Sequence, residues 1–293
     1  MISLQNQDEI AETLLIPLYF RSLESMRPDG LIRDERSIRL VEQIDYDFRK
    51  LKLPAHDSAA IIIRLLKFDE LVRTFLHRNP HGVVVHIGCG LDTRFERVDN
   101  GTVEWFDLDL PEVMAIRLKW IGDPKGRAHS VAASVFETGW WKEIKNHAAG
   151  NLLFVAEGVF PYFKEEDLKV LFLRLMREFP GCELVCDAHT PFAIWTDNLS
   201  LVFSKIRARL RWGLKHPEDV ERWGHEGTLE KREISADKNK NQPEPARIHL
   251  LEKWYYFEKP EPRMRSVQWM RFIPLFGKST GIFHYRLGER KTG

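Results

Sequence analysis

Two glycines and two aspartates carry the clearest chemistry in this chain. The stretch "VVVHIGCGLDTR" (residues 83–94) runs an apolar, β-rich segment into a turn holding Gly88 and Gly90. Without a Cβ, these positions accept unusual dihedrals and let a ligand approach the backbone closely. "FDLDLPE" then supplies Asp107 and Asp109, 19 and 21 residues after Gly88. An acid about 20 residues beyond such a turn accepts hydrogen bonds from the two hydroxyls of an adenosine ribose. The turn is predicted to open a helix whose first amides attract a carboxylate or phosphate. Thr93 stands where a dinucleotide pattern has its third glycine, and Asp92 would repel a pyrophosphate. A carboxylate there would instead attract an ammonium, which favours S-adenosylmethionine over a nicotinamide dinucleotide.

Fewer residues offer proton transfer. The candidate bases are His189, just after an apolar run, and Tyr162, beyond "AEGVFP". Both fall where the carboxyl ends of strands meet a cleft. Arg94 is a candidate for steering an anionic substrate. His86, inside an apolar run, reads as a core histidine. No Ser-His-Asp set or paired-carboxylate arrangement emerges. Cys89, Cys182 and Cys186 form neither a disulfide framework nor a zinc set, and no metal is expected.

The elements that must hold these residues follow from periodicity. Short apolar runs at 83–88, 103–109, 128–134, 151–158 and 182–188 suit strands covered on both faces. Helical stretches separate several of them. In "KEEDLKVLFLRLMREFP", Leu168, Leu171, Phe172, Leu175 and Met176 recur at helical spacing before a Pro-Gly stop. The alternation predicts a doubly wound α/β sheet. Amphipathic helices before residue 80 (8–25 and 58–78) form a cap, and 195–214 reads as another helix. A polar segment near 225–246 reads as a solvated insertion. Strands at 248–259 and 281–288 and a short helix at 267–276 complete the pattern. One domain over 1–293 is expected, with a helical cap over 1–80, a cofactor-binding core over 81–190 and a C-terminal part over 191–293.

Charge is balanced, with 44 basic against 43 acidic residues and a net +1. Nucleic acid and anionic membrane are therefore not expected as partners. No apolar run approaches the ~18 residues of a membrane span. The first residues carry acids and amides where a signal peptide has a basic segment, so a cytoplasmic protein is expected.

Four ordered blocks, "GCGLDTRF", "WFDLDLPEV", "ASVFETGWW" and "LLFVAEGVFPYF", carry a family resemblance. The chain resembles the leucine carboxyl methyltransferase family, nearer its bacterial branch of tetracenomycin-type polyketide O-methyltransferases. The likeness extends upstream through "ETLLIPLYFRSLESMRPDGLIRDERSIRLVEQIDYDF" and downstream to "WYYFEKPEP" and "FHYRLG", leaving out 225–246. It implies a class I, Rossmann-like fold: a seven-stranded, mostly parallel sheet with helices on both faces and an N-terminal helical cap. It also implies S-adenosylmethionine as cofactor. On that pattern Gly88 and Gly90 line the methionine portion and Asp109 binds the ribose, with Asp107 its neighbour. Ser134 and Val135 lie beside the adenine, where the family often has Asp-Leu. Glu157 faces the cofactor, and Arg64 pairs with the methionine carboxylate, followed here by Leu65 in place of the usual threonine. The implied activity is O-methylation of a small-molecule carboxylate or hydroxyl. Protein carboxyl methylation and a cofactor-binding module without turnover are the alternatives; the oligomeric state is left open.

Overall fold

Each apolar run after residue 80 is a strand. The computed structural model describes residues 2–3, 8–51, 55–148, 151–199, 209–224, 247–256 and 278–289. In chain order the elements begin with β1 (Ile2–Ser3), α1 (Asp8–Met26), α2 (Glu35–Gln43), β2 (Ile44–Asp45) and α3 (Ala55–Arg78). The core follows as β3 (Val83–Ile87), α4 (Arg94–Val98), β4 (Glu104–Asp109), α5 (Pro111–Trp120), β5 (Ala128–Ala132), α6 (Trp141–His147) and β6 (Leu152–Ala156). Then come α7 (Glu165–Glu178), β7 (Cys182–His189), α8 (Pro191–Leu199), β8 (Ile248–Tyr255) and β9 (Thr280–Leu287).

The main sheet has seven strands in the order β5-β4-β3-β6-β7-β9-β8. The first five run parallel, and β9 lies antiparallel between β7 and β8. The strand order reverses at β3, which is flanked by β4 and β6. At such a switch point the crossovers leave to opposite sides and open a crevice at the carboxyl ends. Alternate residues feed two cores. Val83, Val85, Phe106, Phe154 and Leu184 pack with α6 and α7, whereas Val84, Trp105, Leu153, Val155 and Val185 pack with α3. Cover on both faces is why these strands read as continuous apolar runs rather than alternating ones. The spacing read from α7 is its buried face, since Leu168, Leu171, Phe172, Leu175 and Met176 are all buried.

Before the sheet, α1 and α2 pack together, and β1 pairs with β2. The expected helix over 195–214 needs correcting. Helix α8 covers Pro191–Leu199, but Arg211 and Trp212 donate their amides to the Pro161 carbonyl, and Leu214 donates to the His189 carbonyl. Backbone groups committed to neighbouring segments cannot close helical turns. Residues 200–208, the polar segment 225–246 and the helix read at 267–276 lie outside the described residues. No described helix is long and apolar enough to cross a membrane.

Candidate active site

The glycine turn sits at the carboxyl end of β3 in strained-looking but glycine-compatible geometry. Gly88 has φ +64° and Gly90 φ +48°. A Cβ on Gly88 would stand 2.3 Å from Val159 Cγ2, and one on Gly90 2.9 Å from Leu14 Cδ2. Only glycine fits the first position at all. Buried arginines hold the turn from behind: Arg117 donates to the carbonyls of Gly90 and Asp92, and Arg21 donates to Leu91 at 2.6 Å.

A cavity of about 520 Å³ opens over this turn, within the range of small-ligand sites. Its floor is the carboxyl ends of β3, β4 and β6, and its roof is Leu14, Ile16, Pro17 and Arg21 of α1. Arg64, Gly88, Gly90, Asp109, Ser134, Val135 and Glu157 all line it, as does Tyr162. The structure thus brings together seven of the eight residues read as a cofactor set.

Asp109 is held in a telling way. Its Oδ2 accepts the Gly90 amide at 2.7 Å and its Oδ1 the Leu110 amide at 2.8 Å. Each oxygen keeps a second acceptor site, which together match a vicinal diol. Burial pushes its pKa up, opposed by those two amides. Asp107 is the eighth residue and does not line the cavity. Two residues further into β4, it accepts from the Trp105 indole at 2.8 Å and from Arg117 at 2.5 Å. Burial opposes its charge, but Arg117 and His86 hold its pKa below the usual carboxylate value. Asp107 therefore braces the turn from beneath.

Arg94 does not steer substrate. It is wholly buried, bonded to Asp69 at 2.8 Å, to Glu157 and to His86 Nε2 at 3.1 Å. A guanidinium only donates, so Nε2 of His86 accepts and its proton sits on Nδ1, 3.4 Å from Asp107. His86 is the core histidine the sequence indicated. Glu157 is clamped on its other oxygen by Arg64 at 2.9 Å. Arg64 also reaches the fully buried Asp187, which accepts the Gly158 amide at 2.7 Å.

Asp92 borders the cavity, yet its carboxylate belongs to Arg97 at 2.9 Å, with Arg94 and Arg21 close by. Burial disfavours its charge, and the arginines overcome this and hold its pKa well below normal. With its charge neutralised by three guanidinium groups, it is no ammonium partner. Helix α4 is only five residues long, and neither its cap Thr93 nor its first residue Arg94 lines the cavity. The buried ionic scaffold of Arg21, Asp34, Asp69, Arg97 and Arg117 had no motif to announce it. The one signal was charge inside apolar helical stretches, as at Asp69 in "LLKFDELV".

The two candidate bases part company. Tyr162 borders the cavity, but burial raises its pKa, so its phenol stays protonated at neutral pH and can donate a hydrogen bond. His189 does not line the cavity. Its Nδ1 lies 3.1 Å from Asp197 and 3.2 Å from the Thr280 hydroxyl.

Comparison with known proteins decides the family. Residues 15–176 match the leucine carboxyl methyltransferase family. A Streptomyces glaucescens protein, tetracenomycin polyketide synthesis O-methyltransferase TcmP, is 32% identical over 72% of this chain and 78% of its own length. The chain belongs to the leucine carboxyl methyltransferase family. A second relative in sequence, the S-adenosyl-L-methionine-dependent methyltransferase dpfgK of Gibberella zeae, is 25% identical over 72% of this chain and 77% of its own. A solved structure from Thermobifida fusca YX, provisionally assigned as a methyltransferase, aligns with TM-score 0.54 at 12% identity. That alignment covers 92% of this chain and 94% of the other, and agrees on the fold. The leucine carboxyl methyltransferase match takes in most of α1, α2, α3, the glycine turn, Asp109 and Glu157, and so every described residue lining the cavity except Leu14.

Proposed function

We propose that the chain is an S-adenosylmethionine-dependent O-methyltransferase acting on the carboxylate of a small molecule. The observation that carries this is the cavity itself: Asp109 presents a diol-matching carboxylate at its floor, and among the described residues lining it His86, Glu157 and Tyr162 are each committed to another role. S-adenosylmethionine, when bound, supplies a methyl group made electrophilic by a sulfonium. The residues fit it. Asp109 takes the ribose hydroxyls, Ser134 and Val135 border the adenine, and Gly88 and Gly90 let the methionine portion lie against the backbone. Arg64 and Glu157 face its polar end, and Asp107 supports the turn.

The choice of acceptor rests on proton bookkeeping. A carboxylate is ionised at neutral pH, whereas a phenol or alcohol needs a base. Among the described residues at the cavity, His86 Nε2 is taken by Arg94, both Glu157 oxygens are taken by arginines, and Tyr162 is protonated. The chain's task is then alignment in a dry pocket, which the apolar walls of Ile61, Leu65, Val113, Val159 and Phe163 provide. An aromatic, polyketide-like acid suits such walls, and the Streptomyces relative is named for polyketide synthesis. The net charge of +1 supports a small molecule over nucleic acid, and three free buried thiols support the cytoplasm. We treat the chain as one domain whose cap over 1–80 selects the acceptor. A hydroxyl acceptor is the second reading; His189, paired with Asp197 but outside the cavity lining, would have to reach it as base.

Transfer of label from S-adenosylmethionine into a metabolite extract tests this. An alkali-labile product and a rate nearly flat from about pH 6 to about pH 9 are expected. An alkali-stable product whose rate rises with pH supports the hydroxyl reading, and label in protein supports carboxyl methylation of proteins. Absence of binding to S-adenosylmethionine and S-adenosylhomocysteine in calorimetry overturns the assignment altogether.

A further inference from the structure

At the end of the sheet opposite the cavity, three elements meet with metal-ligating side chains. Glu104 opens β4, His129 is the second residue of β5, and His147 closes α6. One ligand atom from each lies within 4.8 Å of the other two. His129 Nε2 stands 2.9 Å from Glu104 Oε2. The Nδ1 of His147 is 3.0 Å from the Glu143 carbonyl. A carbonyl only accepts, so Nδ1 carries the proton and Nε2 is left with a bare lone pair. Phe106, fully buried, backs both rings: it stacks on His129 at 4.6 Å and meets His147 edge-on at 5.3 Å.

We propose that Glu104, His129 and His147 bind a zinc ion. Two imidazoles and one carboxylate are a zinc donor set, with water completing a tetrahedron. Bonds of about 2.0–2.2 Å put tetrahedral donors about 3.3 Å apart, so side-chain rotation brings the ligands to the ion, which displaces to solvent the proton that His129 Nε2 gives Glu104. The Glu143 carbonyl plays the part that outer partners play at metal-bound histidines: it fixes the tautomer and aims the ring. Imidazole ligands select zinc-like ions over magnesium or calcium. Asp109 is five residue steps along β4 from Glu104, about 16 Å, so the ion does not touch the transferred methyl. It ties α6 to β4 and to β5, the edge strand of the sheet. No sequence motif marks it, because the ligands are dispersed along the chain and only the β4–β5 pairing and the α6 crossover unite them.

The test uses the whole protein stripped with a chelator and titrated calorimetrically with Zn²⁺, then with Co²⁺ followed by its visible ligand-field bands. One equivalent bound, tetrahedral Co²⁺ bands, a raised melting temperature and no competition from Mg²⁺ are expected. His147→Ala, an exposed change, should weaken Zn²⁺ binding at least about tenfold while leaving S-adenosylhomocysteine affinity intact. Where His147→Ala disturbs the fold by circular dichroism, Glu104→Gln replaces it, with the same loss expected. No binding by the unaltered protein overturns the proposal. Undiminished binding in the variants does so too, since it means an adventitious ion only, held among the chain's 11 histidines. The S-adenosylhomocysteine titration reports separately on the cavity, so failure of one assignment is not mistaken for failure of the other.

Discussion

Asp109 and Asp107 are two residues apart on one strand, and their environments push them in opposite directions. Asp109 ends β4, borders the cavity and is raised in pKa by burial. Asp107 lies one pleat deeper, about 6.6 Å along the strand, where Arg117 keeps it ionised. Hydrogen bonds to a charged group contribute about 1.5–3 kcal/mol, so Asp109→Ala should weaken S-adenosylhomocysteine binding roughly 10- to 100-fold. Calorimetry decides it, and unchanged affinity removes the ribose role. The raised pKa adds a pH signature. Asp109 must be ionised to hold a diol, so affinity should fall on acidification beginning above the ordinary aspartate value of about 3.9. Both aspartates were visible in the sequence, but their division of labour was not. Spacing along a strand says that they share a face; how deep each sits depends on where α5 brings Arg117.

At the scale of elements, β7 is clamped between α3 and β9 by a single buried carboxylate. Glu183 accepts from Arg78 of α3 at 2.8 Å and pairs with His284 of β9 at 2.8 Å, with Arg286 at 3.4 Å. Burial alone would raise its pKa; His284 and Arg78 instead bring it down to about 2. Its unfolded value is about 4.3. The folded value is the lower one, so its stabilisation is fully present above about pH 4.3 and is lost as pH falls toward about 2. Glu183→Gln should lower stability at neutral pH by about 1.5–3 kcal/mol, the worth of hydrogen bonds to a charged group, and flatten the acid limb of stability against pH. Urea midpoints measured across that range check this; an unaltered acid limb would falsify it. The parallel strands could be located from sequence because apolar β-rich runs bounded by glycine have few other uses. Helices between the strands were expected, but only α7 had a range: α5 and α6, ten and seven residues long, are too short for their spacing to fix one. The placement of β9 inside the sheet escaped too, since long-range pairing leaves no periodic trace.

For the whole molecule, the cap is fastened to the cofactor turn rather than merely resting on it. Arg21 of α1 reaches the Leu91 carbonyl and, at 3.0 Å, Asp34 beside α2. Ligand in the cavity should therefore quieten α1 as well as the turn. S-adenosylhomocysteine is expected to slow amide hydrogen exchange in α1 at least about tenfold, with little effect in β8. Arg21→Met should abolish the slowing in α1 while the turn between β3 and α4 keeps it; equal protection of α1 in the variant would show that the arginine does not couple them. The position of β9 has a further consequence during synthesis. The ribosome makes β8 before β9, yet among the described strands β8 pairs only with β9. Until β9 emerges, a nascent chain has five parallel strands ending in an unpaired β7 edge, and β8 has no place in the sheet. An open edge of that kind is where chains pair wrongly. Arrest of translation between β8 and β9 should therefore yield a chaperone-dependent, aggregation-prone product, even though every described residue lining the cavity has already been made.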